Sequence, residues 1–394
     1  MTTPKPRILV ISDFYLPGYK SGGGMRTIVN MVDRMRDRYD FRIVTRDHDG
    51  NRDKTPYTSV AIDEWNDIDG TPVHYVSRDR MTAANLRRLF SEVIPDLVYS
   101  NSVFAPATVR LLQLRKLRQI DLVPMIIAPC GELASSALGF KRKKKRAYLA
   151  VSNAMRLHRD VIWKASGDLE AAEIRNVIGS PSTICVAPDL PPANYFPSDS
   201  PPPKSAKKKG RARLVFFSRL VRKKNFHWLL ELLTDGIDGA LEIGVLGPIE
   251  DADYWSECEQ IIEGLPPSIQ VTVVGPVPHD GVITELASWD FLVLPTLNEN
   301  FGHVVVEALA AGCPILISDR TPWRGLDKSG IGWDVSLDSP ARWRQVIGEC
   351  IQMDQDSYAE MSARSRSFAM DFLSDPTIER SMEELFRTAL TRVS

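Results

Sequence analysis

The chain has 394 residues, 43% of them apolar, and its 49 Lys and Arg against 50 Asp and Glu leave a net charge of -1. That length supports two to three domains with their own cores, and the balanced charge excludes a global field for nucleic acid, so any anion-binding surface must be local. The five cysteines, Cys130, Cys185, Cys258, Cys313 and Cys350, are widely spaced without a C-x-x-C pair and read as buried thiols of a reducing compartment, which excludes a disulfide framework and a cysteine zinc site.

Residues 7–12 are predicted as a buried strand, followed by Pro17, Gly18 and the run Gly22, Gly23 and Gly24 ahead of an amphipathic helix over 25–38. Glycines between a strand and a helix let backbone N–H groups come close to a phosphate or a sugar; a flexible turn is the plain alternative. They do not spell G-x-G-x-x-G, and no acidic residue ends the next strand, 41–45, which argues against a dinucleotide oxidoreductase. Strands over 96–100 and 125–128 flank a helix over 105–119, and another strand spans 183–187. Beyond the 125–128 strand stand Cys130 and Glu132, and then six consecutive cations over 141–146. Cys130, Glu132, Lys141 and Lys144 are the candidate binding residues of this segment. The cations suit an anionic leaflet or a lipid diphosphate, each contributing up to ~1 kcal/mol near an anionic surface; a solvated basic helix is the alternative. No apolar run approaches the ~20 residues of a membrane span, and the N-terminus leads straight into a strand, so the expected location is the cytoplasm, at most the inner face of a membrane.

Past residue 189 the chain turns rich in proline and lysine and reads as a linker, with Lys207, Lys208 and Lys209 solubilising it. A fresh strand over 213–218 runs into Arg219 and Lys224, and strands over 241–245, 269–274 and 291–295 continue a second sheet. Strands and helices alternate in both halves. The predicted class is therefore α/β, with two Rossmann-like doubly wound parallel-sheet domains facing across a cleft: residues 1–195, a linker over 196–212, and residues 213–375. Such sheets bind ligands beyond the carboxyl ends of their strands.

Residues 295–319 are the most informative stretch. Glu299 falls on the loop after the 291–295 strand, and Glu307 lies one to two turns into a helix over 304–311. The amides of Phe301, Gly302, His303 and Val304 then lack helical partners and can face an anion. A loop carboxylate can accept from sugar hydroxyls and a helix carboxylate from a ribose diol, while the amides cover a diphosphate. Arg219 and Lys224 add two cations able to neutralise a diphosphate and the charge that develops as a sugar departs; Arg222 and Lys223 read as a solvated basic turn.

These segments resemble the E-x7-E signature and the G-R-L-x-x-x-K-G pattern of retaining glycosyltransferases with the GT-B fold, family four, of the surface polysaccharide type. Ser218 and Asn225 stand in the two glycine places of the second pattern. The resemblance implies Arg219, Lys224 and Glu299 as catalytic residues. It implies Gly22, Gly23, Gly24, Val277, Asn300, Phe301, Gly302, His303, Val304 and Glu307 as donor contacts, with Val277 beside the nucleobase. The implied reaction moves a hexose from a nucleoside diphosphate sugar with retention, the acceptor hydroxyl attacking from the leaving-group side and a phosphate oxygen taking its proton. The implied acceptor is a glycan, expected to be lipid-linked, in exopolysaccharide or lipopolysaccharide biosynthesis. The acceptor side is then expected at Cys130, Glu132, Lys141 and Lys144, and many relatives carry a histidine where this chain has Cys130 and Glu132. A helix over 376–393 is expected to cross back and complete the first domain.

No cofactor and no metal are expected, because Arg219, Lys224 and the helix-end amides already supply positive potential. Accordingly, the D-x-D triplets at Asp67, Asp251 and Asp354 are read as chance. Two other functions fit the same residues: a GT-B sugar-phosphate synthase with a soluble acceptor, and a noncatalytic sugar-nucleotide binding protein. The intact set Arg219, Lys224, Glu299 and Glu307 argues against the second.

Overall fold

Runs of Val, Ile and Leu placed between amphipathic helices cannot be left in water, and burying them on both faces calls for parallel strands covered by helices. The computed structural model, which describes residues 4–50, 54–139, 142–179, 183–192 and 204–393, has this arrangement twice. The chain divides into one unit of Met1–Ala193 with Pro376–Ser394 and a second of Asn194–Asp375.

The first unit holds β1 (Arg7–Ile11), β2 (Asp40–Arg46), β3 (Trp65–Ile68), β4 (Thr71–Val76), β5 (Leu97–Ser100), β6 (Met125–Ile127), β7 (Val161–Ala165) and β8 (Ile184–Val186). Their order across the sheet is β3-β4-β2-β1-β5-β6-β7-β8. All neighbours are parallel except β3 and β4, an antiparallel hairpin. Its turn carries Asp69 at φ 51° and Gly70 at φ 79°, the doubly positive geometry of a tight hairpin, and the Gly70 N–H donates to Asp67 Oδ1 at 2.7 Å. The first D-x-D triplet is thus a hairpin turn. Helix Gly23–Met35 buries Met25, Ile28, Met31, Val32 and Met35, the spacing of a single helical face. Helix Pro376–Leu390 belongs to the same unit, with Phe386 set edge-on to Tyr39 at 5.1 Å and Tyr99 at 6.0 Å. Its Glu379 pairs with Arg34 at 3.4 Å and Arg38 at 2.5 Å.

The second unit holds β9 (Arg211–Phe217), β10 (Ala240–Leu246), β11 (Ile269–Gly275), β12 (Phe291–Leu294), β13 (Ile315–Ser318) and β14 (Gly332–Val335), ordered β11-β10-β9-β12-β13-β14 and all parallel. Leu214, Val215, Phe216, Leu292, Val293 and Leu294 are fully buried. Strand order reverses between β9 and β12, which makes the carboxyl ends of those two strands the place where a crevice opens.

Several expectations change. Lys207 is buried, its ammonium donating to the carbonyls of Lys208 at 3.0 Å and Met353 at 3.3 Å, so it ties the start of the second unit to the end of helix Pro340–Gln352 and does not solubilise a linker. The part of the expected linker over 196–203 lies outside the described residues. The other D-x-D triplets are helix caps: Asp251 accepts from the Tyr254 N–H and Asp354 from the Ser357 N–H. Among the described residues no group of three or more His, Cys, Asp and Glu could hold a metal, and no helix is long and apolar enough to cross a membrane. All five cysteines are free thiols, but only Cys258, Cys313 and Cys350 are buried; Cys130 and Cys185 are partly exposed.

Candidate active site

In the second unit the carboxyl ends of β9, β12 and β13 are stitched together by hydrogen bonds to backbone carbonyls. The Leu297 N–H donates to the Lys223 carbonyl at 2.9 Å, the Glu299 N–H to the Arg320 carbonyl at 3.0 Å, and the Ser318 hydroxyl to the Thr296 carbonyl at 2.6 Å. A short 3-10 turn, Arg222–Lys224, ends on Asn225 at φ 62°, ψ 32° and passes into helix Phe226–Leu233. That left-handed conformation is why the resembled pattern has glycine here, and asparagine is among the few other residues that adopt it readily. Ser218, in the other glycine place, is not in the left-handed region and needs no glycine.

This frame brings Lys224 and Glu299 into a direct ion pair, their side chains 11% and 15% exposed. Burial alone would raise the Glu299 carboxyl. Lys224 beside it, then Lys223, and Arg219 further off outweigh burial and hold the carboxyl below its ordinary range. Lys223 therefore belongs to the cluster, while the exposed Arg222 pairs with Glu257 and stays on the surface. Arg219 pairs with Glu250 at 3.0 Å, a partner 31 residues further along the chain.

Gly302 sits at φ 81° as the residue before helix His303–Ala310, and a Cβ there would lie 3.0 Å from Glu299 Cγ. Glycine is thus required both by the turn and by the nearness of the carboxylate. The Val305 N–H is taken by the Gly302 carbonyl at 2.8 Å, and the first helical amides belong to His303 and Val304. The Phe301 ring stacks edge-on against His303 at 4.8 Å and Trp323 at 5.7 Å, and its carbonyl accepts from Trp323 Nε1 at 2.5 Å, so its side chain and its carbonyl both serve the loop's shape. Asn300 is half-buried beside it. Glu307, 7% exposed, lies just over one turn into the helix; the chief groups acting on Glu299 are Lys224, Lys223 and Arg219, not Glu307. Val277 is half-buried on the loop after β11, ahead of the 3-10 turn His279–Gly281.

In the first unit, Gly22 precedes helix Gly23–Met35, so Gly23 and Gly24 form its first turn and do not lie in a loop. The loop ahead of them is braced. Asp49 accepts from the Tyr19 N–H at 2.7 Å, the Lys20 N–H at 2.9 Å and the Ser21 hydroxyl at 2.9 Å. β2 runs on to Arg46 and is followed at once by Asp47, so an acidic residue does follow this strand; Asp47 meets His48 Nδ1 at 2.7 Å, and Asp49 is taken up by the loop it braces.

The expected acceptor residues separate. Asn101 donates to the Gly24 carbonyl at 2.7 Å and accepts from the Cys130 thiol at 2.9 Å. Burial raises that thiol, which leaves it a weak nucleophile. Glu132 accepts from the Ser102 hydroxyl at 2.8 Å and the Val103 N–H at 2.7 Å; burial, with Asp13 adding to it, raises its carboxyl. The cation that acts on Glu132 is Lys145, not Lys144, which is exposed on helix Arg142–Ala154. Lys141 lies outside the described residues.

Cations, a carboxylate and helix-end amides at a topological switch point have the chemistry to hold an anionic, hydroxylated ligand. Residues 198–364 match the family described as Glycosyl transferases group 1. At full length the chain superposes on Anabaena HepE in complex with UDP and glucose, with TM-score 0.70 and 16% identity over 98% of this chain and 100% of that one. It does so equally on sucrose-phosphate synthase from Thermosynechococcus elongatus, with TM-score 0.70 and 17% identity over 99% and 100%. The fold is GT-B. In sequence the chain is similar to a D-inositol 3-phosphate glycosyltransferase of Corynebacterium urealyticum, 28% identical over 45% of this chain and 43% of that protein. The chain spans about half the length or less of the curated relatives it matches.

Proposed function

We propose that the protein is a retaining glycosyltransferase that moves a hexose from a nucleoside diphosphate sugar to a glycan acceptor. The observation that carries this reading is the meeting of Lys224, Glu299 and the field of Arg219 at the carboxyl ends of β9 and β12. A diphosphate entering there exchanges its counterions for Arg219 and Lys224. Charge building on the leaving phosphate is then met by groups already in place. Glu299, kept ionised by Lys224, accepts from donor-sugar hydroxyls, and Glu307 from the ribose. The amides of Gly302, His303 and Val304 cap the phosphate, and Val277 lies along the base. With two cations supplying the positive potential, the reading needs no metal, and a chelator should leave the rate unchanged. No residue of the Arg219, Lys224 and Glu299 cluster is assigned as a covalent nucleophile in this reading, and a phosphate oxygen takes the acceptor proton.

The acceptor in this reading is a lipid-linked glycan of a surface polysaccharide, on the cytoplasmic face of a membrane. The exposed Lys143, Lys144 and Arg146 support it, because they can meet an anionic leaflet or a lipid diphosphate. The similarity to a D-inositol 3-phosphate glycosyltransferase and to sucrose-phosphate synthase favours a second reading, transfer to a soluble phosphorylated acceptor. Activity that persists without any lipid-bearing acceptor would select the second.

A thermal-shift panel of UDP, GDP and ADP sugars should reveal one donor that raises the unfolding midpoint. With that donor, Lys224→Ala should lose turnover without unfolding, and NMR of the product anomer checks retention. A panel in which no sugar nucleotide binds, or normal turnover in Lys224→Ala, would sink the proposal.

A further inference from the structure

Arg219 is 34% exposed against 11% for Lys224, and a long side chain on a loop does not hold one direction by itself. Its surroundings supply the constraint. The Ser218 N–H donates to the Leu246 carbonyl at 2.9 Å, the Leu220 N–H to the Pro248 carbonyl at 2.9 Å, and the Asp251 N–H back to the Leu220 carbonyl at 3.2 Å. These bonds fix the backbone on both sides of Arg219 against the loop that follows β10. Gly247, at φ 122°, allows the approach: a Cβ there would meet the Ser218 carbonyl oxygen at 2.3 Å. Asp251, as the cap of helix Ala252–Glu263, anchors the far end of the same loop. Glu250 stands between these anchors with its carboxylate 3.0 Å from Arg219 Nη1.

We propose that Glu250 is a positioning residue for Arg219, holding the guanidinium toward the diphosphate subsite. The inference rests on the donor site proposed above. A guanidinium carries five N–H groups in a planar fork, so one edge can be held by Glu250 while others address phosphate oxygens. The neighbouring pair Arg222 with Glu257 is the internal contrast. It has the same chemistry on an exposed surface, and Arg222 is not among the chief groups acting on Glu299.

The test is steady-state turnover of the full chain with the sugar nucleotide that the thermal-shift panel identifies. Glu250→Ala should lower kcat about tenfold or more, with a smaller change in KM, since the lost contribution is to departing charge. Glu250→Gln, which keeps an acceptor oxygen, should recover most of that loss. In an Arg219→Ala background, Glu250→Ala should cost nothing further. Wild-type kcat in Glu250→Ala, or an equal loss in the Arg219→Ala background, overturns the inference. If instead Arg219→Ala itself turns over normally, the donor-site reading fails and not the positioning step alone.

Discussion

Glu132 and Glu299 are both loop carboxylates just beyond a parallel strand, and their titrations move in opposite directions. Glu132 is met by a hydroxyl and an amide, with Asp13 nearby, and is raised; Glu299 is met by Lys224 and is lowered. Lys164 and Asp189 extend the first unit's pattern: this buried pair also takes the Thr27 hydroxyl at 3.0 Å, so its charges are spent on holding helix Gly23–Met35 to the sheet. The lesson is that an ionic group at a strand's carboxyl end is a candidate for chemistry when its partner can be exchanged for a ligand. When hydroxyls and amides of the protein's own loops have satisfied it, it is a brace.

The comparison breaks most readily at Lys164. Lys164→Ala leaves Asp189 buried without its cation and should destabilise the first unit by about 3–5 kcal/mol, seen as a lower denaturant midpoint. Nucleotide affinity, measured at a temperature where the variant stays folded, should be unchanged. Next comes the direct contrast of Glu299→Gln with Glu132→Gln: the first should lower turnover about 100-fold or more and the second leave it nearly intact. Equal losses would erase the distinction. Asp49→Ala should cost about 1–3 kcal/mol by leaving the Tyr19 and Lys20 amides without their acceptor, with amide exchange speeding up in residues 18–21. The smallest effect is in pH. The Glu299 carboxyl is depressed, so its contribution to stability is present above the ordinary value of 4.5 and is lost as pH falls through its folded value. That of Glu132 is full below 4.5 and is lost as pH rises through its raised value. Stability curves of the two glutamine variants should therefore diverge from the parent on opposite sides of that point.

Sequence made the switch-point residues readable because each follows an apolar strand directly: Arg219 comes two residues after β9, and Glu299 five after β12. Glu250 and Asp49 escaped notice because crossover connections set neighbouring strand ends far apart in sequence. Arg219 and Glu250 are 31 residues apart, and Tyr19 and Asp49 are 30 apart. A usable signal existed, an acidic residue three or four positions past the end of β2 or β10, but nothing local says which neighbour it meets. β7 went unread because Lys164 interrupts its apolar run, and only the buried Asp189 makes that lysine tolerable. The β3–β4 hairpin went unread because Trp65-Asn66-Asp67-Ile68 is short and half polar, on a sheet edge where burial does not enforce an apolar pattern.

Helix Pro376–Leu390 seats Phe386 among Tyr39, Phe41 and Tyr99, although the intervening chain builds an entire second sheet first. The first unit is therefore discontinuous in sequence, and its aromatic cluster is completed only by residues that follow the contiguous Asn194–Asp375 unit. A chain cut before residue 376 would leave Tyr39, Phe41 and Tyr99 without the ring that packs against all three.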